Sequence, residues 1–368
     1  MKKIMIVFGT RPEAIKMVPI IKQIEKEADL KGIICTTGQH KDMLTQVLEE
    51  FDIKADYNLE IMQKEQTITY ITTKVIEKMS EIIEREKPSI VLVHGDTTTS
   101  FGTAIGAFYS KVKIGHVEAG LRTYNKYSPF PEEVNRRLIA NLADLHFAPT
   151  QENKENLIKE NIPEKNIFVT GNTIIDTMHL TIKKDYIFKN EIIKNIDFSN
   201  DKKYILLTAH RRENQEGQIK NICKAVNKLV KENSKLEVIF PVHYSPKVRR
   251  EVYETLLESN QIHLLEPINT HDMHNLLSRI DLVLTDSGGL QEEAPTIGKK
   301  VLVLRNNTER PEALKTGLVE IIGTETENIV ATTKKYILED TNKKGFLENN
   351  PYGDGKASEK IAKILQKY

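Results

Sequence analysis

Short apolar runs ending in glycine or hydroxyl-rich turns alternate with helix-period stretches along this chain, and that alternation dictates a parallel α/β architecture. In the first half the runs fall at residues 4–8, 32–37, 90–94, 113–117, 145–148 and 167–170. In the second half they fall at 204–208, 236–241, 262–264, 282–285 and 301–304. The clearest helical interval is 67–86, where Ile68, Ile71, Val75, Met79 and Ile82 recur at spacings of three and four. Residues 183–203 are polar and charged with scattered aromatics, which suits a linker or a docking segment. The pattern predicts two doubly wound domains facing each other across a cleft, at 1–172 and 173–355, followed by an amphipathic helix at 356–368.

Composition narrows the partners. A net charge of +1 over 368 residues gives no general attraction to nucleic acid or to anionic membranes. Anion specificity must therefore be local. No apolar run approaches the roughly 20 residues that span a bilayer. Cys35 and Cys223 lie far apart in apolar-periodic segments, so they read as buried thiols in a reducing, cytoplasmic compartment. No His-Cys-carboxylate spacing points to a metal, and no cofactor is expected.

Ligands of open parallel sheets bind outside the carboxyl ends of the strands, and the polar motifs of this chain fall there. Gly9-Thr10-Arg11 follows the first run and opens a helix, where free amides together with Arg11 and Lys16 suit an anion. In the second half, Asp286-Ser287-Gly288-Gly289 makes a similar turn. Ser287 can cap the following helix, the two glycines let N–H groups approach phosphate oxygens, and Glu293 can accept from sugar hydroxyls. Arg305 and Arg310 add charge at the same edge. Two anion-ready turns point to a diphosphate ligand. His210, flanked by Arg211 and Arg212, is a proton carrier or phosphate donor, and His243 is a weaker candidate. His94 and His116 are expected to position neighbouring groups, and His271 and His274 to lie at the surface.

Residues 90–137 hold the acids. Asp96 and Glu118 end two strand-like runs, and Glu132 enters at a helix start after the turn Ser128-Pro129-Phe130-Pro131. Carboxylates gathered in a cleft raise one another's pKa, so one can hold a proton while another accepts one. The structural alternative is an ion-pair network satisfied by Arg122, Arg136 and Arg137.

With GTRPEAIKM, VLVHGDTTTS, GHVEAGLRT, YSPFPEEVNRR, TAHRREN, PVHYSP, LTDSGGLQEEAP and NPYGDG in this order, the chain resembles the non-hydrolysing UDP-N-acetylglucosamine 2-epimerases along essentially its whole length. The resemblance implies a GT-B fold of two Rossmann-like domains, with the active site in the cleft and the last helix packing back on the first domain. It implies a cytoplasmic homodimer that interconverts UDP-GlcNAc and UDP-ManNAc by eliminating UDP to a 2-acetamidoglucal and adding it back, supplying ManNAc for cell-envelope polysaccharide. Carried over, Asp96, Glu118, Glu132 and His210 are the acid/base set. Arg11, Lys16, Ser287, Gly288, Gly289, Glu293 and Arg310 hold UDP. Gln39, His40, Glu132, Arg211 and His243 match an activator site for a second UDP-GlcNAc. Asp42 and Glu65 depart from that site's pattern, and Glu65 in place of a cation implies weaker activation, to be checked by UDP-ManNAc turnover with and without trace UDP-GlcNAc. A hydrolysing 2-epimerase, an epimerase of a related UDP-2-acetamido sugar, a GT-B glycosyltransferase and a nucleotide-sugar sensor are the competing readings.

Overall fold

The computed structural model describes residues 1–368 apart from 39, 40, 62, 64, 65, 212, 213, 215, 216, 309, 339–345, 348 and 349, and apart from the side chains of 41–43 and 338. The chain forms two compact units, Met1–Leu180 with Tyr352–Tyr368, and Thr181–Pro351.

The first unit is built on β1 (Lys2–Phe8), β2 (Leu30–Thr36), β3 (Tyr57–Asn58), β4 (Ile90–His94), β5 (Lys113–Val117), β6 (Leu145–Ala148) and β7 (Ile167–Val169). These make one parallel sheet in the order β3-β2-β1-β4-β5-β6-β7. Along β1, Ile4, Ile6 and Phe8 pack with the helix Arg11–Ile24 and the final helix Ala357–Lys367. The alternate residues Met5 and Val7 pack with the helices Ile68–Glu86 and Thr98–Tyr109 on the opposite face. A strand covered on both faces carries an unbroken apolar run, which is why the pattern reads so clearly in sequence. The order reverses between β1 and β4, and the helices that follow these two strands lie on opposite faces. Their loops therefore part at the carboxyl edge and leave a crevice. The final helix is capped by buried Asp176, which accepts from Ala357 N at 3.1 Å, Ser358 N at 2.8 Å and Ser358 Oγ at 2.6 Å.

The second unit repeats the plan with β8 (Lys203–Thr208), β9 (Leu236–Pro241), β10 (Ile262–Leu265), β11 (Leu282–Thr285), β12 (Lys300–Val303) and β13 (Val319–Ile321). The strands lie parallel in the order β10-β9-β8-β11-β12-β13, so the reversal falls between β8 and β11. Ile205 and Leu207 of β8 pack with the helix Gln218–Glu232. The polar segment before β8 docks on the helix Thr270–Arg279, where Asp272 accepts from Tyr186 Oη at 2.8 Å, Lys189 N at 3.0 Å and Asn190 N at 2.9 Å. The edge strands β3 and β13 are absent from the sequence reading. Cys35 and Cys223 are buried free thiols, and burial pushes both up to about 12.

Candidate active site

In the first unit the candidate residues gather at the β1/β4 reversal. Thr10 caps the helix Arg11–Ile24 in a capping box with Glu13. Gly9 is sterically required, because a Cβ there would stand 2.3 Å from Thr37 Oγ1 and 2.4 Å from Thr99 Oγ1. Buried Glu13 ties the loops after β1 and β4 together. Its Oε2 accepts from Gly9 N at 3.0 Å, Thr10 N at 2.8 Å and Thr10 Oγ1 at 2.8 Å. Its Oε1 accepts from Thr97 Oγ1 at 2.6 Å and lies 3.0 Å from Ser100 Oγ, whose proton also faces His94 O at 2.6 Å. Arg11 is the first residue of the same helix.

Lys16, one turn into that helix and buried, pairs with Glu118 Oε2. Glu118 directly follows β5 with φ 60°, a left-handed conformation that costs a non-glycine residue about 1–2 kcal/mol. Asn172 Nδ2 donates to the same Oε2 at 3.2 Å. His94 Nε2 lies 3.7 Å away, and burial holds the pKa of this histidine down. His116 is wholly buried, with its pKa pushed down to about 3 by burial. The neutral ring meets Gly95 O through Nε2 at 2.7 Å, and because a carbonyl only accepts, Nε2 carries the proton. That bond pins the turn bearing Asp96.

Arginines pair with Asp96, one of the three candidate acids, and with two acids outside that set, Glu133 and Glu160. Arg136 donates through Nε to Asp96 Oδ2 at 2.8 Å and through Nη1 to buried Glu133 at 3.0 Å. Asn135 Nδ2 donates to Asp96 O at 2.9 Å, so the helix Glu132–Leu142 is bound to the Asp96 turn by two side chains. Glu132 is the first residue of that helix. Arg122 forms a two-pronged pair with Glu160, at 2.9 and 2.7 Å, and Arg137 approaches the same carboxylate at 3.6 Å. Glu118 is held instead by a lysine.

In the second unit the β8/β11 reversal assembles His210, Arg211, His243, Asp286 and the glycine turn. The rings of His210 and His243 stack with centroids 5.3 Å apart. Burial lowers the pKa of both; for His210, Asp286 opposes that shift while Arg211 and His243 add to it. A Cβ at Gly288 would lie 3.4 Å from Arg211 Nη2 and 3.5 Å from Arg310 Nη2, so two guanidiniums flank this turn. Arg310 Nε donates to buried Glu292 at 2.6 Å. Glu293 Oε1 would stand 3.1 Å from a Cβ at Gly289. A cation-lined turn with a nearby acceptor can hold a diphosphate and a hydroxyl. Arg305 lines a separate cavity of about 700 Å³ with Gln218, Asn306 and Gly323, which Ser287, Gly288, Gly289 and Arg310 do not line.

Two sequence expectations are corrected. Ser287 does not cap the helix Leu290–Thr296; Gly289 occupies that position and makes no side-chain cap bond. His274 is not a surface residue. It is buried, its Nδ1 lies 2.7 Å from Thr181 Oγ1 and its Nε2 3.6 Å from Glu293 Oε2, because its helix face turns toward the core. Glu13, Glu133 and Asp286 were not singled out as site residues. The Thr10/Glu13 capping-box spacing was the available signal for the first, whereas the partners of the other two lie far away in sequence or in loops without periodicity. Gln39, His40 and Glu65 lie outside the described residues, as does the side chain of Asp42. Among the described residues no group of His, Cys, Asp and Glu has the arrangement of a metal site, and no helix is long and apolar enough to cross a membrane.

The sequence model of one family, UDP-N-acetylglucosamine 2-epimerase, matches residues 22–366. The UDP-N-acetylglucosamine 2-epimerase of Bacillus subtilis is 47% identical over 364 residues, covering 99% of this chain and 94% of that protein. The UDP-GlcNAc 2-epimerase of Neisseria meningitidis, solved with UDP-GlcNAc bound, superposes with a TM-score of 0.90 at 44% identity and covers 100% of both chains. Staphylococcus aureus MnaA, solved with UDP, gives a TM-score of 0.90 at 47% identity, covering 100% of this chain and 97% of that one.

Proposed function

The chain belongs to the UDP-N-acetylglucosamine 2-epimerase family, and on that premise we propose that it interconverts UDP-GlcNAc and UDP-ManNAc by elimination and re-addition of UDP. The observation that carries the reading is a division of labour between two equivalent places. Each unit sets its polar residues at the carboxyl edge where its strand order reverses, acids in the first unit and paired guanidiniums around Gly288 in the second.

The proton on carbon 2 of the sugar has no carbonyl beside it to acidify it, so removal and return of that proton alone is implausible. In the proposed route a base takes the carbon 2 proton while the bond from carbon 1 to the UDP oxygen breaks, giving 2-acetamidoglucal and UDP. The reverse step returns a proton to the opposite face of carbon 2 as a UDP oxygen re-forms the bond to carbon 1. Asp96, Glu118 and Glu132 are the acid/base candidates, and His210 assists as a proton carrier at the leaving phosphate. Arg11, Lys16, Ser287, Gly288, Gly289, Glu293 and Arg310 retain UDP between the half-reactions; Lys16 also fixes Glu118. The reading includes a homodimer, which light scattering would report as twice the chain mass.

Proton NMR in deuterated water with UDP-GlcNAc tests the proposal. The expected result is UDP-ManNAc labelled with deuterium at carbon 2 and little free UDP. Free UDP with reducing ManNAc as the main product would overturn it in favour of hydrolysis. An unchanged substrate would point to a different nucleotide sugar or a transferase.

A further inference from the structure

One buried carboxylate at the second reversal has no part in the reaction just described. Asp286 has 0% exposure. Its Oδ2 is fully engaged, accepting from His210 N at 2.8 Å, Arg211 N at 2.9 Å and Asn214 Nδ2 at 2.9 Å. Its Oδ1 is equally buried, accepts no hydrogen bond among the described residues, and lies 3.2 Å from His210 Nδ1. One oxygen thus locks the backbone of the His210 turn while the other faces the imidazole of the same residue.

A wholly buried acceptor without a donor is costly, and among the described residues the ring nitrogen at 3.2 Å is a group able to supply a proton. Among the described residues, the groups that face that ring include Asp286 from the β11 turn, Arg211 on the same loop and His243 stacked from the β9 turn. Burial and the neighbouring Arg211 and His243 disfavour the imidazolium, so a choice between the two neutral tautomers remains. Oδ1 can only accept, and it makes that choice. The contact has hydrogen-bond distance without hydrogen-bond alignment, a common condition for such pairs before substrate binds.

We infer that Asp286 is a positioning residue that holds His210 in the tautomer protonated at Nδ1, leaving Nε2 as the nitrogen that exchanges protons with the ligand. The inference rests on the reading of His210 as a proton carrier in the epimerisation.

The test is long-range nitrogen–proton NMR of the labelled full-length protein above neutral pH, with His210 assigned by His210→Gln. The wild type is expected to show Nδ1 protonated and Nε2 bare; the opposite pattern would overturn the inference without any variant at Asp286. In Asp286→Asn the amide oxygen can keep the three Oδ2 bonds while its NH2 faces Nδ1, so the tautomer should invert. Turnover should then fall about 100-fold or more with KM changed only a few-fold. A His210 that stays protonated at Nδ1 in Asp286→Asn sinks the inference. An inverted tautomer with undiminished turnover leaves the positioning intact and sinks the role of His210 beneath it.

Discussion

Glu13 and Glu118 are both held carboxylates near strand ends of one sheet, and their neighbours give them opposite tasks. Four donors bind Glu13, three of them from Gly9 and Thr10, the two residues before the first helix, and the Ser100 hydroxyl lies 3.0 Å away. With its lone pairs so occupied it is a brace, not a proton carrier. Glu118 instead meets the Lys16 ammonium and the Asn172 amide, in a backbone conformation that glycine would adopt more readily. Strain of that kind persists where the surroundings over-determine it, commonly at functional sites. Glu13→Gln, which keeps the volume but replaces one acceptor by a donor, is expected to lower stability by on the order of 2 kcal/mol and to raise KM through a loosened Arg11 and Asp96. Urea denaturation and steady-state kinetics would read the two effects, and an unchanged midpoint would remove Glu13 as the brace.

Among the elements, the helix Ala357–Lys367 is joined to a sheet more than a hundred residues earlier in sequence. Ile361, Ala362 and Leu365 are buried in the same cluster as Ile4, Ile6 and the first helix. Asp176 caps its amino end, and Lys2 Nζ donates to Gln366 O at 2.6 Å. Burying side chains such as Ile361 and Leu365 contributes about 1.5–3 kcal/mol each. An acid that accepts from the free N–H groups of a helix start contributes about 1 kcal/mol, more here because three donors share Asp176 and lose their partner when it is removed. Asp176→Ala should therefore shift the denaturation midpoint of the whole chain, and truncation after Gly355 should shift it further. A truncated chain as stable as the full one would show that the helix is dispensable to the sheet it covers.

The molecule as a whole carries buried neutral histidines whose protonation opposes the fold. Burial pushes His116 down to about 3 and His146 down to about 4, from an ordinary value near 6.5. In the unfolded chain these rings take up protons as pH falls below about 6.5, while the folded chain does not, so stability is complete above that value and is lost toward the folded pKa. Each such ring contributes a slope of about 1.4 kcal/mol per pH unit at most. His146→Asn should flatten the fall in denaturant midpoint between roughly pH 6 and 4, and an unchanged slope would show that His146 is protonated within the fold. The sequence by itself determined the parallel α/β class, most of the strands and the turns that carry Gly9, Asp96, Glu118, His210 and Gly288, because strands covered on both faces write continuous apolar runs and polar turns end them. Only the tertiary structure decided that Arg136 claims Asp96, that Lys16 rather than an arginine meets Glu118, that Arg211 joins Arg310 at Gly288, that His274 is buried and that Asp286 faces His210. Those choices depend on which strand lies beside which and on the rotation of each helix about its axis, and periodicity along one segment carries no information about the partner it will meet.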